Sequence, residues 1–275
     1  MALTERKQGD VVRLDPVWQA VRDQAEAVVE RDPSMGGFIH AVVLGRRSLE
    51  DAVAYRIAQR LHTPAMPADV LREAFDEMNR AEPEWREVLR VDIAAVYERD
   101  PACSRFLEPM LYFKGFHAIQ THRLAHWLWG QGRHDFALYL QSRSSEIFQT
   151  DINPQARFGR GIFMDHATGI VIGATAVIGD DVSIMQGVTL GGTGKEDGDR
   201  HPKVGDGVLI GAGAKVLGNI DIGHCSRVAA GALVVKAVPP KTTVAGVPAR
   251  VVGQAGCAQP GRTMDQILAD AREGA

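Results

Sequence analysis

The second half of the chain repeats on a six-residue period. Large apolar residues recur at Ile152, Phe158, Met164 and Ile170; after a two-residue shift the series resumes at Ile172, Ile178, Ile184 and Leu190. It runs again from Val204 through Ile210, Val216, Ile222 and Val228 to Val234. Glycine often follows the repeated residue, as at Gly159, Gly173, Gly179, Gly205, Gly211 and Gly223, and small residues such as Ala156, Thr168, Ala176, Ala214 and Ser226 stand four places after it. Such a hexad specifies a β-helix. Each short strand points one large side chain into a narrow prism, while glycine and small residues permit tight corners between flat faces. Stacked coils close the core. A parallel sheet with helical crossovers does not fit, because each crossover needs about a dozen residues between strands.

Before residue 150 the apolar spacing changes to three and four, the period of amphipathic helices, in VWQAVRDQAEAVVERD, SLEDAVAYRIAQRL, ADVLREAFDEMNRA and HAIQTHRLAHWLW. Pro33, Gly36 and Gly37, then Pro64 and Pro67, then Gly130 and Gly132 divide this half into several helices. The chain therefore reads as α+β, with an α-helical N-terminal domain over 1–147, a left-handed parallel β-helix of hexapeptide repeats over 148–253 and a flexible tail over 254–275. A length of 275 residues with 45% hydrophobic content suffices for one large core or two modest ones. The net charge of −3 supplies no bulk attraction to nucleic acid or anionic lipid, so neither is expected as a partner. Cys103, Cys225 and Cys257 are odd in number and lack CxxC spacing, which points away from a disulfide framework or a thiolate metal site. The first residues contain no apolar segment of signal-peptide type and no later run is long enough to span a bilayer, so a cytoplasmic protein is expected.

One interval breaks the rhythm. Between Leu190 and Val204 lies GGTGKEDGDRHPK, which must loop out of the prism. Its GTGK resembles the end of a phosphate-binding loop, but Thr189 and Glu196 occupy the positions where that motif requires Gly and Ser or Thr. Loops on rigid scaffolds often carry function, and this one holds Arg200 and His201.

Met164 occupies an inward position, so Asp165 and His166 fall at a corner and can point outward. Asp151 precedes His166 by fifteen residues, three short of an eighteen-residue coil, which places it on the neighbouring coil. Strands of adjacent coils lie about 5 Å apart. A carboxylate there can fix the imidazole tautomer, the arrangement a general base needs to take a proton from an alcohol.

The segments VDIAAVYERDPAC, FLEPMLYFKGFHAIQTHRLAHWLW, DINPQARFGRGIFMDHATGIVIG, VSIMQGVTLGGTGKEDGDRHPKVGDGVLIGAGAKVLGNI and VPPKTTVAGVPARVVG resemble serine O-acetyltransferase, with MDHATG, GGTGK and GDRHPK as the selective motifs. The resemblance implies transfer of acetyl from acetyl-CoA to the L-serine hydroxyl, giving O-acetylserine for cysteine biosynthesis. It implies His166 as general base and Asp151 as its orienting partner, Asp100 and Asp165 as ligands of the substrate ammonium, and Arg200 and His201 as ligands of its carboxylate. A zwitterion needs both signs around one pocket, and Arg suits a carboxylate. A backbone N–H near Gly192 would stabilise the oxyanion, Thr193, Ala212 and Ala230 would line the groove for pantetheine, and Lys236 and Arg250 would neutralise the nucleotide phosphates. The family implies feedback inhibition by L-cysteine and assembly as a homotrimer or a dimer of trimers. Its extreme C-terminal peptide, typically ending in isoleucine, inserts into cysteine synthase; here the sequence ends in Ala275, and a weak or absent complex is expected. Asn153 and Ala174 stand where the family usually has histidine and glutamate.

Three other readings compete. An acetyltransferase for another hydroxylated acceptor, such as homoserine, would use the same residues. A zinc-dependent hydratase on the same prism would draw on His166, His201 and His224, which lack His-x4-His spacing, so no metal is expected. A non-catalytic assembly module would keep the prism alone. His117, His122 and His126 read as core or interface histidines of a helix.

Overall fold

The computed structural model describes residues 15–194 and 197–268. Its first part is helical: α1 (Pro16–Arg31), α2 (Gly36–Ile39), α3 (Leu49–Leu61), α4 (Ala68–Ala81), α5 (Trp85–Arg99), α6 (Leu107–Leu111), α7 (Lys114–Gly130) and α8 (His134–Phe148). Local signals start these helices where side chains can satisfy free N–H groups. Asp15 caps α1 by accepting from the Trp18 N–H at 3.2 Å, with Pro16 in the first turn. Ser48 caps α3, whose first turn carries Glu50 and Asp51 and whose last carries Arg60. Helix α7 is buried on most of its circumference, through Phe116, Ile119, Leu124 and Leu128 among others, and so runs through the interior.

The prism follows. Its first face stacks Thr150–Ile152, Ile170–Ile172, Thr189–Gly191, Lys215–Leu217 and Leu233–Val234; its second stacks Arg157–Phe158, Val177–Ile178, Lys203–Val204 and Asp221–Ile222. The third stacks Phe163–Met164, Ser183–Ile184, Leu209–Ile210, Arg227–Val228 and Thr242–Gly246, all parallel, and ends with Ala249–Gln254 paired antiparallel. This is the left-handed β-helix of hexapeptide repeats that the sequence implies. The six-residue series forms its core: Met164, Ile172, Ile178, Ile184, Leu190, Ile210 and Val228 are all buried there. Coils are 18 residues apart between Val171 and Thr189, 20 between Thr150 and Ile170, and 26 between Thr189 and Lys215. The longest interval carries the glycine-rich loop.

The helical and β parts interlock. Ile119 of α7 enters the prism core at its first coil, and Phe163 of the prism enters the helical core. Asp92 on α5 is fully buried and accepts from Arg123 Nε at 2.8 Å, Gln120 Nε2 at 2.8 Å and the Ile162 N–H at 3.1 Å. A buried carboxylate is tolerated because each oxygen is paired. At the far end, the antiparallel pair over 242–254 closes the last coil.

The segment expected to hang free from residue 254 is, through residue 268, laid back along the third face. The Gly261 N–H donates to Gly207 O at 2.8 Å, and Arg227 donates to the carbonyls of Asp265 and Ile267 at 2.8 and 3.1 Å. Arg99 and Arg262 hold opposite oxygens of Asp181, at 2.8 and 2.9 Å. Ala275 lies outside the described residues. Among those described, no helix is long and apolar enough to cross a membrane.

Candidate active site

The two extra residues of the first coil fall at one corner. Met164 pairs with Ile184 and Ile172 with Leu190, so eight positions there match six on the next coil. The excess is taken up by two successive γ-turns: the Ala167 N–H donates to Asp165 O at 2.5 Å and the Thr168 N–H to His166 O at 2.8 Å. Both central residues are left-handed, His166 at φ 54° and Ala167 at φ 59°. Non-glycine residues pay strain for that geometry, which concentrates at functional sites. The turns push the His166 side chain outward, 72% exposed, while Asp165 stays at 19%. The surroundings hold the corner in place. Thr150 Oγ1 donates to Ala167 O at 3.1 Å, and the Gly169 N–H donates to Gln149 O at 2.8 Å. Gly115 of α7 lies so close that a Cβ there would stand 2.0 Å from Met164 O.

Asp165 and His166 open onto a cavity of about 610 Å³ between the corner, the end of α5 and the start of α7, with Asp100, Tyr112, Lys114 and Phe116 on its wall. Asp100 ends α5, and one of its carboxylate oxygens accepts the Ala102 N–H at 2.8 Å. Burial raises the Asp165 pKa above the usual carboxylate value and the nearby Asp100 charge raises it further, against the opposing pull of His166. Two carboxylates sharing one wall are stabilised by a cation between them. His166 Nε2 stands 3.7 Å from Asp165 Oδ1.

Asp151 does not bond to His166 within this chain. Its register partner is Val171, five residues past the histidine, and its Oδ1 accepts from Gln141 Nε2 of α8 at 2.7 Å. An eighteen-residue coil does not count the corner's two extra residues. Thr150, next to Asp151, nevertheless touches the corner directly.

Arg200 and His201 occupy the next edge, between the first and second faces, so one chain keeps them apart from His166. Thr175 organises them: its Oγ1 accepts the N–H groups of Arg200 and His201 at 3.0 and 3.1 Å. His201 Nδ1 accepts from the Thr175 N–H at 3.2 Å, which assigns the ring proton to Nε2. Burial lowers the His201 pKa, and Arg200 and Lys203 lower it further. The ring thus carries its proton on Nε2, on the side that packs against Gly173, and a donor of this kind with the neighbouring Arg200 suits a carboxylate. Two glycines make room. A Cβ at Gly173 would come within 2.0 Å of the His201 ring, and one at Gly192 within 3.1 Å of the Arg200 stem. Thr175, Gly173, Lys114 and Gln149 were not singled out from sequence; their partners lie about 20 to 50 residues away, beyond any local signal.

The corner of His166 begins a ladder along one edge. The Gly187 N–H donates to Thr168 O, the Gly213 N–H to Gln186 O and the Gly231 N–H to Ala212 O, each at 2.8 Å, which places Ala212 and Ala230 on the edge that His166 heads. Thr193 is exposed on the edge of Arg200, beside Gly218. Lys236 and Arg250 come together around a cavity of about 230 Å³ with Val235 and Val251. His166, His201 and His224 occupy three different edges, and among the described residues no group of three or more His, Cys, Asp or Glu is placed to hold a metal ion.

Residues 17–121 match the family model for the serine acetyltransferase N-terminal region, and residues 201–236 match the bacterial transferase hexapeptide model. A serine acetyltransferase of Salmonella typhimurium is 51% identical over 253 residues, covering 92% of this chain and 93% of the relative. The crystal structure of the Brucella abortus serine acetyltransferase in complex with coenzyme A superposes with a TM-score of 0.88 at 64% identity, covering 89% of this chain and 98% of that one. A serine acetyltransferase in complex with cysteine superposes with a TM-score of 0.89 at 50% identity, covering 92% and 98%.

Proposed function

The chain belongs to the serine acetyltransferase family, and from that premise we propose how its own residues move acetyl from acetyl-CoA to the hydroxyl of L-serine. The observation that carries the reading is the strained Asp165–His166 corner, which opens onto a cavity walled by two carboxylates and heads the hydrogen-bonded ladder of one edge.

Asp100 and Asp165 hold the serine ammonium. His166 takes the hydroxyl proton as the oxygen attacks the thioester carbonyl, and the tetrahedral intermediate collapses to O-acetylserine and CoA thiolate, which recovers the proton from the imidazolium. Asp151 orients the imidazole once it exchanges Gln141 for the ring. A backbone N–H near Gly192 stabilises the oxyanion. Acetyl-CoA is the co-substrate, its pantetheine following Thr193, Ala212 and Ala230 and its phosphates meeting Lys236 and Arg250. L-cysteine, with the same ammonium and carboxylate, competes with serine.

Because Arg200 and His201 stand on another edge of the same prism, and Gly192 and Thr193 stand on that edge with them, we assign all four at each site to a second copy of the chain. A homotrimer arranges three such sites, and residues 1–147 serve as the unit that joins trimers. The reading places the reaction in the cytoplasm, supported by three cysteines with free thiols.

Release of CoA, measured across amino-acid acceptors, tests the activity. Serine as the preferred acceptor supports the reading, homoserine redirects it, and no turnover with any acceptor removes it. Co-assembly of H166A with R200A chains tests the shared site: mixed oligomers regain activity if one chain supplies the base and another the arginine, and stay inactive if both come from one chain.

A further inference from the structure

We propose that Lys114 is a positioning residue for the reaction, holding the strained corner that presents His166. Its Nζ donates to Thr168 Oγ1 at 2.5 Å and to Gln149 Oε1 at 3.2 Å. Thr168 is the last residue of the second γ-turn, which its N–H closes. Gln149, itself left-handed at φ 57°, ends α8 and receives the Gly169 N–H on its carbonyl. One ammonium therefore joins the start of α7, the end of α8 and the corner. Lys114 lines the same cavity as Asp100 and Asp165, yet among the described residues it makes no ion pair with either. Its donors are directed to the Thr168 hydroxyl and the Gln149 amide oxygen. The close approach of Gly115 to Met164 O seats α7 against the same turn, so the lysine is anchored at both ends.

A corner with two non-glycine residues at positive φ persists only when its neighbours over-determine it. Among the described residues, Lys114 is the side chain of the helical domain that hydrogen-bonds to the corner. Removing it lets the turns relax and the imidazole drift from its line to the serine hydroxyl.

The proposal rests on His166 being the base, and the experiment separates the two. K114M, K114R, T168V and the K114M/T168V double variant are assayed as assembled full-length enzyme for kcat, KM for serine and thermal midpoint. K114M is expected to lower kcat roughly 10- to 100-fold, the usual cost of a misplaced reacting group, with KM for serine within about twofold. T168V should reproduce most of the loss, K114R should recover part of it, and the double variant should be no worse than K114M, because T168V removes one of the two contacts that K114M already removes. A rise in KM with kcat retained would make Lys114 a substrate ligand and overturn the proposal. So would additive losses, or unchanged kcat in K114M. Near-normal turnover in H166A removes the base assignment itself, whatever Lys114 does. If K114M does not assemble, T168V and K114R carry the same comparison.

Discussion

The ring of His201 fills the space that a side chain on Gly173 would need, on the coil directly before the glycine-rich loop. Gly173 does not have a positive φ, so its backbone accepts other residues and the constraint is volume alone. Gly173→Ala should therefore displace the imidazole and destabilise the protein by about 1–3 kcal/mol, the range for overpacked sites. KM for serine should rise more than kcat falls. Serine saturation curves and denaturant titration of the variant check this; wild-type serine affinity would mean that His201 does not contact the substrate.

His166→Ala should lower kcat by about 10²- to 10⁴-fold, the contribution of a positioned general base, while circular dichroism stays unchanged because the side chain projects from the prism. Asp151→Asn should cost less, since the amide still accepts a hydrogen bond. A larger loss in Asp151→Asn than in His166→Ala would invert the roles assigned to the two.

Acidification should weaken ligands that present an ammonium group. Burial and the Asp100 charge raise the Asp165 pKa above 3.8, so this carboxyl takes up a proton earlier on the way down in pH than an ordinary aspartate. The same shift means that ionised Asp165 costs the empty pocket stability at neutral pH, a cost that a bound cation relieves. Calorimetric affinity for L-cysteine, followed downward from pH 7.5, should fall before 3.8 is reached. Asp100→Asn should weaken binding at neutral pH and also move the acid limb lower, because the neighbouring charge is gone. An unmoved limb would show that Asp100 does not act on Asp165.

The buried histidines set a second pH dependence, on folding. Burial holds His117 and His122 down to about 3, with the neighbouring Arg60 adding to the effect on His117 and His126 to that on His122. Each contributes stability that is complete above its unfolded value near 6.5 and is lost as pH falls toward the folded one. Between pH 6.5 and 5.5 the loss should be about 1 kcal/mol per histidine. Urea titrations across that interval should show both contributions, and His122→Gln should remove one. A slope unaltered by the substitution would mean that His122 is already charged in the native state.

The hexads, the helical first half and the outward corner were legible because each is a local pattern of side-chain size. The two-residue shift between Ile170 and Ile172 was visible too, but its meaning was not. The count says that residues are extra; only the register of Met164 against Ile184 says that they are absorbed around His166. Asp151 illustrates the same limit, since an assumed coil length placed it near the histidine while Gln141, ten residues earlier on α8, holds its carboxylate. The docked segment through residue 268 is held by Arg227, Asp181 and Gly207, none of which is near it in sequence. Side chains that meet across dozens of residues leave no periodicity to read.

Ile119 stoppers the first coil, and what it covers matters for how the protein behaves in solution. An uncapped solenoid ends in a row of open N–H and C=O groups on each face, a template onto which another coil can add. At the far end the antiparallel pair over 242–254 extends the third face, while α7 packs on the first coil at the other. A version trimmed to the prism would therefore uncover the first coil, and filtration or light scattering should find it self-associated where the full chain is not. Expression of residues 148–253 without the helices should therefore be limited by stickiness at that end before any question of turnover arises.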